Sequence, residues 1–157
     1  MKTQVTYRPI MLIGIHPLLS PDLLSIIRAM GHGDEIAIVD GNYPASSDAK
    51  RLVRADGLLV SDVLSAILEH FPLDHAVDDA AFRAVDAQAP EHPLPAHIEL
   101  ASLIERKSPG FKLNPLAPDA FYGRVKSAYA IVATSDPKFY CNVILRKGVI
   151  PLQYRVA

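Results

Sequence analysis

A histidine between two glycines, followed by an aspartate, supplies the groups of this chain best suited to move protons. His32 stands between Gly31 and Gly33, and Asp40 follows a short apolar run. Glycines on both sides leave the imidazole uncrowded and allow the backbone a positive φ. An imidazole can give and take a proton near neutral pH, and a carboxylate can accept hydrogen bonds from hydroxyl groups. The pair suits general acid–base chemistry on a small polar molecule.

The apolar run between these two residues predicts a buried strand over Glu35–Val39, because it is rich in β-branched residues. Turn-forming residues at 41–44 end it. At about 3.3 Å per residue, a straight strand would hold His32 and Asp40 far apart. Two arrangements stay open: the loop 31–34 folds back, or His32 meets groups from another subunit.

Composition excludes several classes of protein. The chain has 157 residues, half of them hydrophobic, which predicts one folded domain over 1–157. Its 16 basic and 17 acidic residues give a net charge of −1, which argues against nucleic-acid binding. With Cys141 as the one cysteine, the sequence offers no disulfide pair and no cysteine-based zinc site. A reducing cytoplasm fits this cysteine usage.

The amino-terminal part of the sequence predicts neither a signal peptide nor a membrane-spanning helix. No apolar run approaches the roughly 20 residues that a membrane-spanning helix needs. The run 10–15 is too short for a signal sequence and predicts a short edge strand instead. Residues 1–10 are treated as an amino-terminal extension.

Helical and strand patterns alternate along the chain. Ser20 is a candidate N-cap, with Pro21 in the first turn and Gly31 ending the helix. Further helices are predicted to start near residue 60 and to cover 96–106 and 119–128, with strands over 51–54, 81–85, 130–133 and 142–145 and loops at 46–48, 89–95 and 108–118. This alternation predicts an α/β fold, a single three-layer domain with a largely parallel or mixed sheet flanked by helices.

The sequence contains no P-loop, no glycine-rich dinucleotide motif and no GxSxG motif. The other histidines lack metal-ligand spacing and are interpreted as surface or packing residues: His16, His70, His75, His92 and His97.

Four strings, in this order, resemble the family of L-fucose mutarotase and D-ribose pyranase. They are Met-Gly-His-Gly-Asp-Glu-Ile at 30–36, Arg-Ala-Asp-Gly-Leu at 54–58, Ala-Phe-Tyr at 120–122 and Tyr-Cys-Asn at 140–142. The similarity runs from about residue 11 to residue 149. The Arg-Ala-Asp-Gly string and the Asn-Tyr-Pro turn after Asp40 resemble the fucose branch more than the ribose branch.

The resemblance implies an enzyme without cofactor or metal that opens and recloses the ring of a monosaccharide. It also implies a ring-shaped homo-oligomer, often a decamer, with sites near subunit boundaries. By the same resemblance His32 is the proton donor, and the sugar is bound by Asp40, Tyr140, Cys141 and Asn142.

Each assignment has a structural alternative. His32 could bind the carbonyls at a helix end, and Asp40 could cap a turn. Cys141 suits a small buried core residue, Tyr140 could pack in the core, and Asn142 could only start a strand.

The chain departs from the family at one position. A basic residue that the family places just before the Ala-Phe-Tyr string is replaced here by Pro118, and Lys112 or Arg54 could supply the charge instead. Three functions stay open: a mutarotase for L-fucose or a similar deoxyhexose, a pyranase for a pentose such as D-ribose, and a sugar-binding or transport-accessory protein without turnover.

Overall fold

A computed structural model describes residues 11–152 of the chain. The amino-terminal extension expected at 1–10 lies outside these described residues. Residues 11–15 form bends and turns, so the edge strand predicted at 10–15 is not present in its described part. This short apolar run has no neighbouring strand with which to form a ladder, and apolar character alone does not make a strand.

The described residues form a six-stranded sheet with the strand order β2-β5-β1-β6-β3-β4. The strands are β1 (Glu35–Val39), β2 (Leu52–Ala55), β3 (Ala81–Arg83), β4 (Asn114–Pro115), β5 (Ala130–Thr134) and β6 (Val143–Arg146). β6 runs antiparallel to both of its neighbours, β1 and β3, while the other pairs are parallel. The sheet is therefore mixed, as the alternation predicted.

Helices cover both faces of this sheet. They are α1 (Pro21–Ala29), α2 (Ala45–Asp48), α3 (Val60–Leu68), α4 (Pro95–Lys107) and α5 (Pro118–Ser127). The hydroxyl of Ser20 accepts a hydrogen bond from the backbone N–H of Leu23, so the predicted N-cap of α1 is confirmed. The short α2 replaces the loop predicted at 46–48, and β4 lies in the segment predicted to be irregular.

The alternation of side chains along β1 divides the core into two layers. Ile36 and Ile38 pack with α1, α3 and α4, whereas Ala37 and Val39 pack with α2 and α5. Successive residues of a strand point to opposite faces, and both faces of β1 are covered, so all four residues are fully buried. The predicted three-layer α/β fold is confirmed.

No helix within residues 11–152 is both long and apolar enough to cross a membrane.

The antiparallel β6 determines which loops meet at each edge of the sheet. Its first residue, Val143, pairs with Ile38 near the end of β1, and its last residue, Arg146, pairs with Glu35 at the start of β1. The residues just after β1 therefore adjoin those just before β6, at what we call the carboxyl edge of β1. The residues just before β1 adjoin the end of β6, at what we call the amino edge.

Candidate functional site

A cavity of about 180 Å³ opens at the carboxyl edge of β1. Its lining comprises Asp40, Asn42, Tyr43, Tyr122, Phe139, Tyr140 and Asn142. Three of the four residues that the resemblance assigned to sugar binding thus line one cavity, which we call the polar cavity. They converge because β1 ends where β6 begins.

Asp40 is buried and held from several sides. Its Oδ1 accepts hydrogen bonds from the backbone N–H groups of Asn42 (2.8 Å) and Tyr43 (3.1 Å), as in an Asp-capped turn. Its own N–H donates to Oδ1 of Asn142 at 2.8 Å. Burial raises the pKa of the Asp40 carboxyl, and hydrogen bonds from Asn42, Asn142, Tyr43 and the Cys141 backbone oppose this shift. The carboxyl is a preorganised group that can accept hydrogen bonds or a proton at the cavity wall.

Cys141 lies between two lining residues but turns its thiol into the core. Its side chain is buried, and Sγ lies 3.7 Å from Oδ2 of Asp136. Burial, together with the nearby charge of Asp136, raises the pKa of the Cys141 thiol to about 12. A thiol with that pKa is not a nucleophile at neutral pH, so only the backbone of Cys141 can serve the cavity.

Aromatic rings form the remaining wall of the polar cavity. Tyr43 and Tyr122 are stacked, with ring centroids 5.3 Å apart, and the hydroxyl of Tyr43 donates to Oδ2 of Asp48 at 2.8 Å. Phe139 is largely exposed beside them. Ring faces of this kind cover the C–H surface of a bound sugar, while the carboxyl and amide groups take its hydroxyls.

A second cavity, of about 200 Å³, adjoins the first and shares Tyr122, Tyr140 and Asn142 with it. The rest of its lining is apolar: Ala84, Val85, Ala87, Pro118 and Phe121. Pro118, near which the resemblance led us to expect a basic residue, therefore contributes an apolar wall to what we call the apolar cavity. Among the described residues that line either cavity, none is Lys, Arg or His.

The two substitutes considered for the missing basic residue have other surroundings. Arg54 lies on β2 and makes two hydrogen bonds to the carboxylate of Asp56, at 3.0 and 2.7 Å, on an exposed surface. Lys112 is exposed in the loop before β4. Neither residue lines the polar or the apolar cavity.

His32 lies at the amino edge of β1, opposite both cavities. The loop that carries it is a tight turn: Gly31 N–H donates to Oδ2 of Asp34 at 2.7 Å, and Gly33 adopts a φ of +86°. Gly33 N–H also donates to the carbonyl of Lys147, just after β6, at 2.8 Å. A side chain at Gly33 would be strained by the positive φ and would lie 3.1 Å from the Arg146 guanidinium. The loop therefore does not fold back toward Asp40.

The imidazole of His32 has one defined partner. Its Nε2 lies 3.0 Å from Oδ1 of Asp74, a carboxylate that is almost fully buried, while the His32 side chain is 48% exposed. Nε of Arg146 donates to Oδ2 of Asp74 at 2.9 Å. This Arg146 hydrogen bond is the main reason that the pKa of Asp74 is lowered to about 2. An ionised carboxylate can only accept, so Nε2 of His32 carries the hydrogen and Nδ1 is left for proton exchange with a ligand.

Sequence reasoning missed several of these residues. Tyr43 and Tyr122 lay within strings that marked the resemblance, so those strings were the available signal. Asp74 lay outside those strings, and its contacts to His32 and Arg146 cross long stretches of sequence. The two halves of the predicted site lie at opposite ends of β1, whose five residues span on the order of 15 Å.

The backbone beneath Asp74 leaves no room for a side chain at Gly148, which gives a testable prediction. A Cβ at Gly148 would lie 2.5 Å from the Leu73 carbonyl oxygen and 2.7 Å from Cα of Asp74. We expect Gly148→Ala to lower the free energy of unfolding in urea by about 1–3 kcal/mol, the usual cost of overpacking. The control is Gly123→Ala on α5, where an added Cβ meets nothing within 4 Å and alanine favours the helix. Equal stability of Gly148→Ala and the parent would contradict the prediction.

Within residues 11–152, no group of three or more His, Cys, Asp or Glu side chains could hold a metal ion.

Known proteins share both the sequence and the fold. A fucose mutarotase from Danio rerio is 39% identical over 150 residues, which cover 90% of this chain and 96% of the relative. An L-fucose mutarotase from Actinobacillus pleuropneumoniae is 38% identical, covering 91% of this chain and all of the relative. The crystal structure of the fucose mutarotase from Streptococcus pneumoniae in complex with L-fucose superposes with a TM-score of 0.81 at 38% identity, covering 89% of this chain and all of that one.

The family model matches nearly the whole of the described chain. It covers residues 13–150, which include the His32 loop, the polar cavity and all six strands. The resemblance drawn from the four sequence strings is confirmed, and the chain belongs to the RbsD / FucU transport protein family.

Proposed function

We propose that this protein is a monosaccharide mutarotase that interconverts the anomers of L-fucose or a closely similar sugar without a cofactor. One observation carries the proposal. The buried carboxyl of Asp40, fixed by backbone N–H groups and Asn142, faces a polar cavity with aromatic walls. The relatives named fucose mutarotase, one of them solved in complex with L-fucose, identify the substrate class.

The reaction needs two proton transfers and no net change in oxidation state. A base takes the proton of the anomeric hydroxyl while an acid protonates the ring oxygen, and the bond between C1 and the ring oxygen breaks. The open aldehyde rotates about its C1–C2 bond, and the same steps run in reverse on the other face. Asp40 serves as hydrogen-bond acceptor or base, and His32 as the acid, through Nδ1.

Asp74 prepares His32 for this role by orienting the ring. The hydrogen bond to Nε2 fixes the tautomer that leaves Nδ1 available, and Arg146 holds the carboxylate in place from its other side. When His32 carries hydrogen on both ring nitrogens and donates one from Nδ1, Nε2 keeps its hydrogen bond to this carboxylate.

His32 and Asp40 belong to one site only if two copies of the chain meet. Because they lie at opposite edges of β1 in one chain, we infer that His32 of one subunit approaches the polar cavity of its neighbour. A head-to-tail contact of this kind forms a ring when the rotation between neighbouring subunits closes. The assembly we propose is a ring-shaped homo-oligomer, a decamer in the form that the family resemblance implies.

The ends of the described chain carry apolar surface suited to burial between subunits. A groove is lined by Ile15, Leu24 and Ile27 together with the exposed side chains of Val149 and Ile150. Further exposed apolar side chains near the ends of the described chain are Met11, Leu12, Ile13 and Leu152. Apolar patches of this sort mark interaction sites on soluble proteins, which supports self-association.

The apolar cavity favours a sugar with a methyl group over one with a hydroxymethyl group. L-Fucose, L-galactose and D-arabinose share their ring stereochemistry and carry CH3, CH2OH and H at the same ring carbon. A hydroxyl buried among Ala84, Val85 and Pro118 without a partner would cost about 1–3 kcal/mol. The methyl group of L-fucose fills the same space and adds about 0.8 kcal/mol of apolar burial over hydrogen.

Saturation-transfer NMR on equilibrated sugars tests the function. We expect anomer exchange of L-fucose to accelerate with enzyme, and kcat/KM for L-galactose to be lower by about 5- to 150-fold, from the buried-hydroxyl cost above. D-Arabinose loses only the methyl burial of about 0.8 kcal/mol, so its kcat/KM should be lower than that of L-fucose by about fourfold and fall between the two. The spontaneous exchange of each sugar in buffer is the control.

Two other outcomes would replace the proposal. Faster interconversion of the pyranose and furanose rings of D-ribose, with L-fucose exchange unchanged, would identify a pyranase. Binding of L-fucose with unchanged exchange would identify a sugar-binding protein without turnover.

We place the protein in the cytoplasm, where its single buried cysteine stays reduced.

A further inference from the structure

His97 is a fully buried histidine whose two ring nitrogens are both engaged. It lies in the first turn of α4. Nδ1 is 3.1 Å from the backbone nitrogen of Leu94 and 3.1 Å from Nη1 of Arg83. Nε2 is 3.0 Å from the carbonyl oxygen of Tyr140. His97 was expected to be a surface or packing residue. It also connects α4 to Tyr140, which lines both cavities.

The partners of His97 fix its protonation state. A backbone N–H and a guanidinium can only donate hydrogen bonds, so Nδ1 must carry the lone pair. Nε2 then carries the hydrogen and donates it to the Tyr140 carbonyl. Burial lowers the pKa of His97, and the adjacent Arg83 adds to that effect, while the Tyr140 carbonyl and Asp86 oppose it. The neutral ring is the form that satisfies all of these contacts.

The backbone that receives this hydrogen bond is strained. Tyr140 has a φ of +54°, and it is the one non-glycine residue within 11–152 with a positive φ. Side chains other than glycine rarely adopt this conformation, and it persists only where surrounding contacts enforce it. Tyr140 lines both the polar and the apolar cavity, two residues before Asn142, which holds Asp40.

We propose that His97 is a positioning residue that holds Tyr140 in its left-handed conformation and so gives the sugar site its shape. His97 lines neither cavity and acts from behind the site through a single carbonyl. The expected effect on sugar binding rests on the proposed function. The effect of His97 on the conformation of Tyr140 can be measured without any sugar.

Two amide substitutions separate the two contacts of the ring. In His97→Gln the side-chain amide nitrogen replaces Nε2 and can still donate to Tyr140. In His97→Asn the amide oxygen replaces Nδ1 and still accepts from Leu94 N–H, but the side chain is too short to reach Tyr140. The asparagine variant therefore keeps the hydrogen bond from Leu94 N–H at the start of α4 and loses only the hydrogen bond to the Tyr140 carbonyl.

We expect His97→Asn to weaken L-fucose binding about tenfold, which corresponds to about 1.4 kcal/mol, because Tyr140 loses a contact that enforces its left-handed conformation. We expect His97→Gln to remain within about threefold of the parent. Titration calorimetry with L-fucose measures both. The three-bond HN–Hα coupling of Tyr140 reports its φ angle. In the absence of sugar, this coupling should change in the asparagine variant and keep the parent value in the glutamine variant. Unchanged coupling and unchanged affinity in His97→Asn would overturn the proposal.

The wild-type protein provides a readout that does not depend on folding of any variant. Nitrogen-15 spectra of histidine-labelled protein should show His97 as the neutral ring with hydrogen on Nε2, and hydrogen on Nδ1 would overturn the proposal. If L-fucose does not bind the parent, the proposed function fails, while the Tyr140 coupling in the two variants still decides the role of His97.

Discussion

We expect replacement of His32 by glutamine to lower kcat for L-fucose anomer exchange by about 10²–10⁴-fold, the usual contribution of a positioned acid–base group. The glutamine amide nitrogen stands where Nε2 stood and can keep the hydrogen bond to Asp74. Glutamine has no counterpart of the Nδ1 lone pair and does not titrate, so proton exchange is lost while the loop keeps its anchor. Saturation-transfer NMR gives the rate, and urea unfolding checks that stability is unchanged.

The matched control for this experiment is His92→Gln. His92 is an exposed histidine in the loop before α4, and we expect its replacement to leave the exchange rate within about twofold of the parent, as for an ordinary surface substitution. An active His32→Gln variant would remove His32 from the reaction and leave Asp40 and water to perform the proton transfers.

We expect mixed oligomers of two inactive variants to recover about a quarter of the parent activity if each site combines two subunits of a ring. His32→Gln lacks the proton donor, and Asp40→Asn lacks the carboxylate while its amide oxygen still accepts from Asn42 and Tyr43 N–H. In a random one-to-one mixture, about one neighbouring pair in four places an intact His32 beside an intact Asp40. The physical reason is the separation of these residues at opposite edges of β1.

The experiment uses co-expression with two different affinity tags, followed by sequential purification that selects oligomers containing both variants. A mixture of His32→Gln with His32→Ala serves as the control and should stay inactive, because no subunit supplies a donor. If verified mixed oligomers show no more activity than the separate variants, then His32 and Asp40 do not share a site between subunits.

The elements that sequence reasoning located well are those whose signals are local. The start of α1 is marked by Ser20 as N-cap and by the proline that follows it in the first turn. This signal is contained in three consecutive residues. The four apolar residues of β1, at 36–39, are buried on both faces of the sheet, so they form an uninterrupted run in the sequence. Neither prediction depends on what packs against the element.

The errors fall where a neighbour decides the conformation. β4 is only two residues long and contains a proline, and it is a strand because it pairs with β3 at the sheet edge. The run at 10–15 has the composition of a strand but no such partner in its described part. The four-residue α2 follows a Pro44 turn whose pattern predicts only a loop.

The sequence alone determined which chemical groups this protein carries, because residue types and spacings can be taken directly from it. These groups are an imidazole between two glycines, a carboxylate after a strand, and a Tyr-Cys-Asn string. It also determined the family, since the four strings stand in order over most of the chain. These features need no knowledge of which residues meet in space.

Only the tertiary structure decided which groups work together. The antiparallel course of β6 brings Tyr140 and Asn142 to Asp40 at one edge of the sheet and Arg146 toward His32 at the other. Asp74 reaches His32, and His97 reaches Tyr140, across more than forty residues of sequence. Such long-range contacts are set by strand order and packing, which local periodicity does not encode.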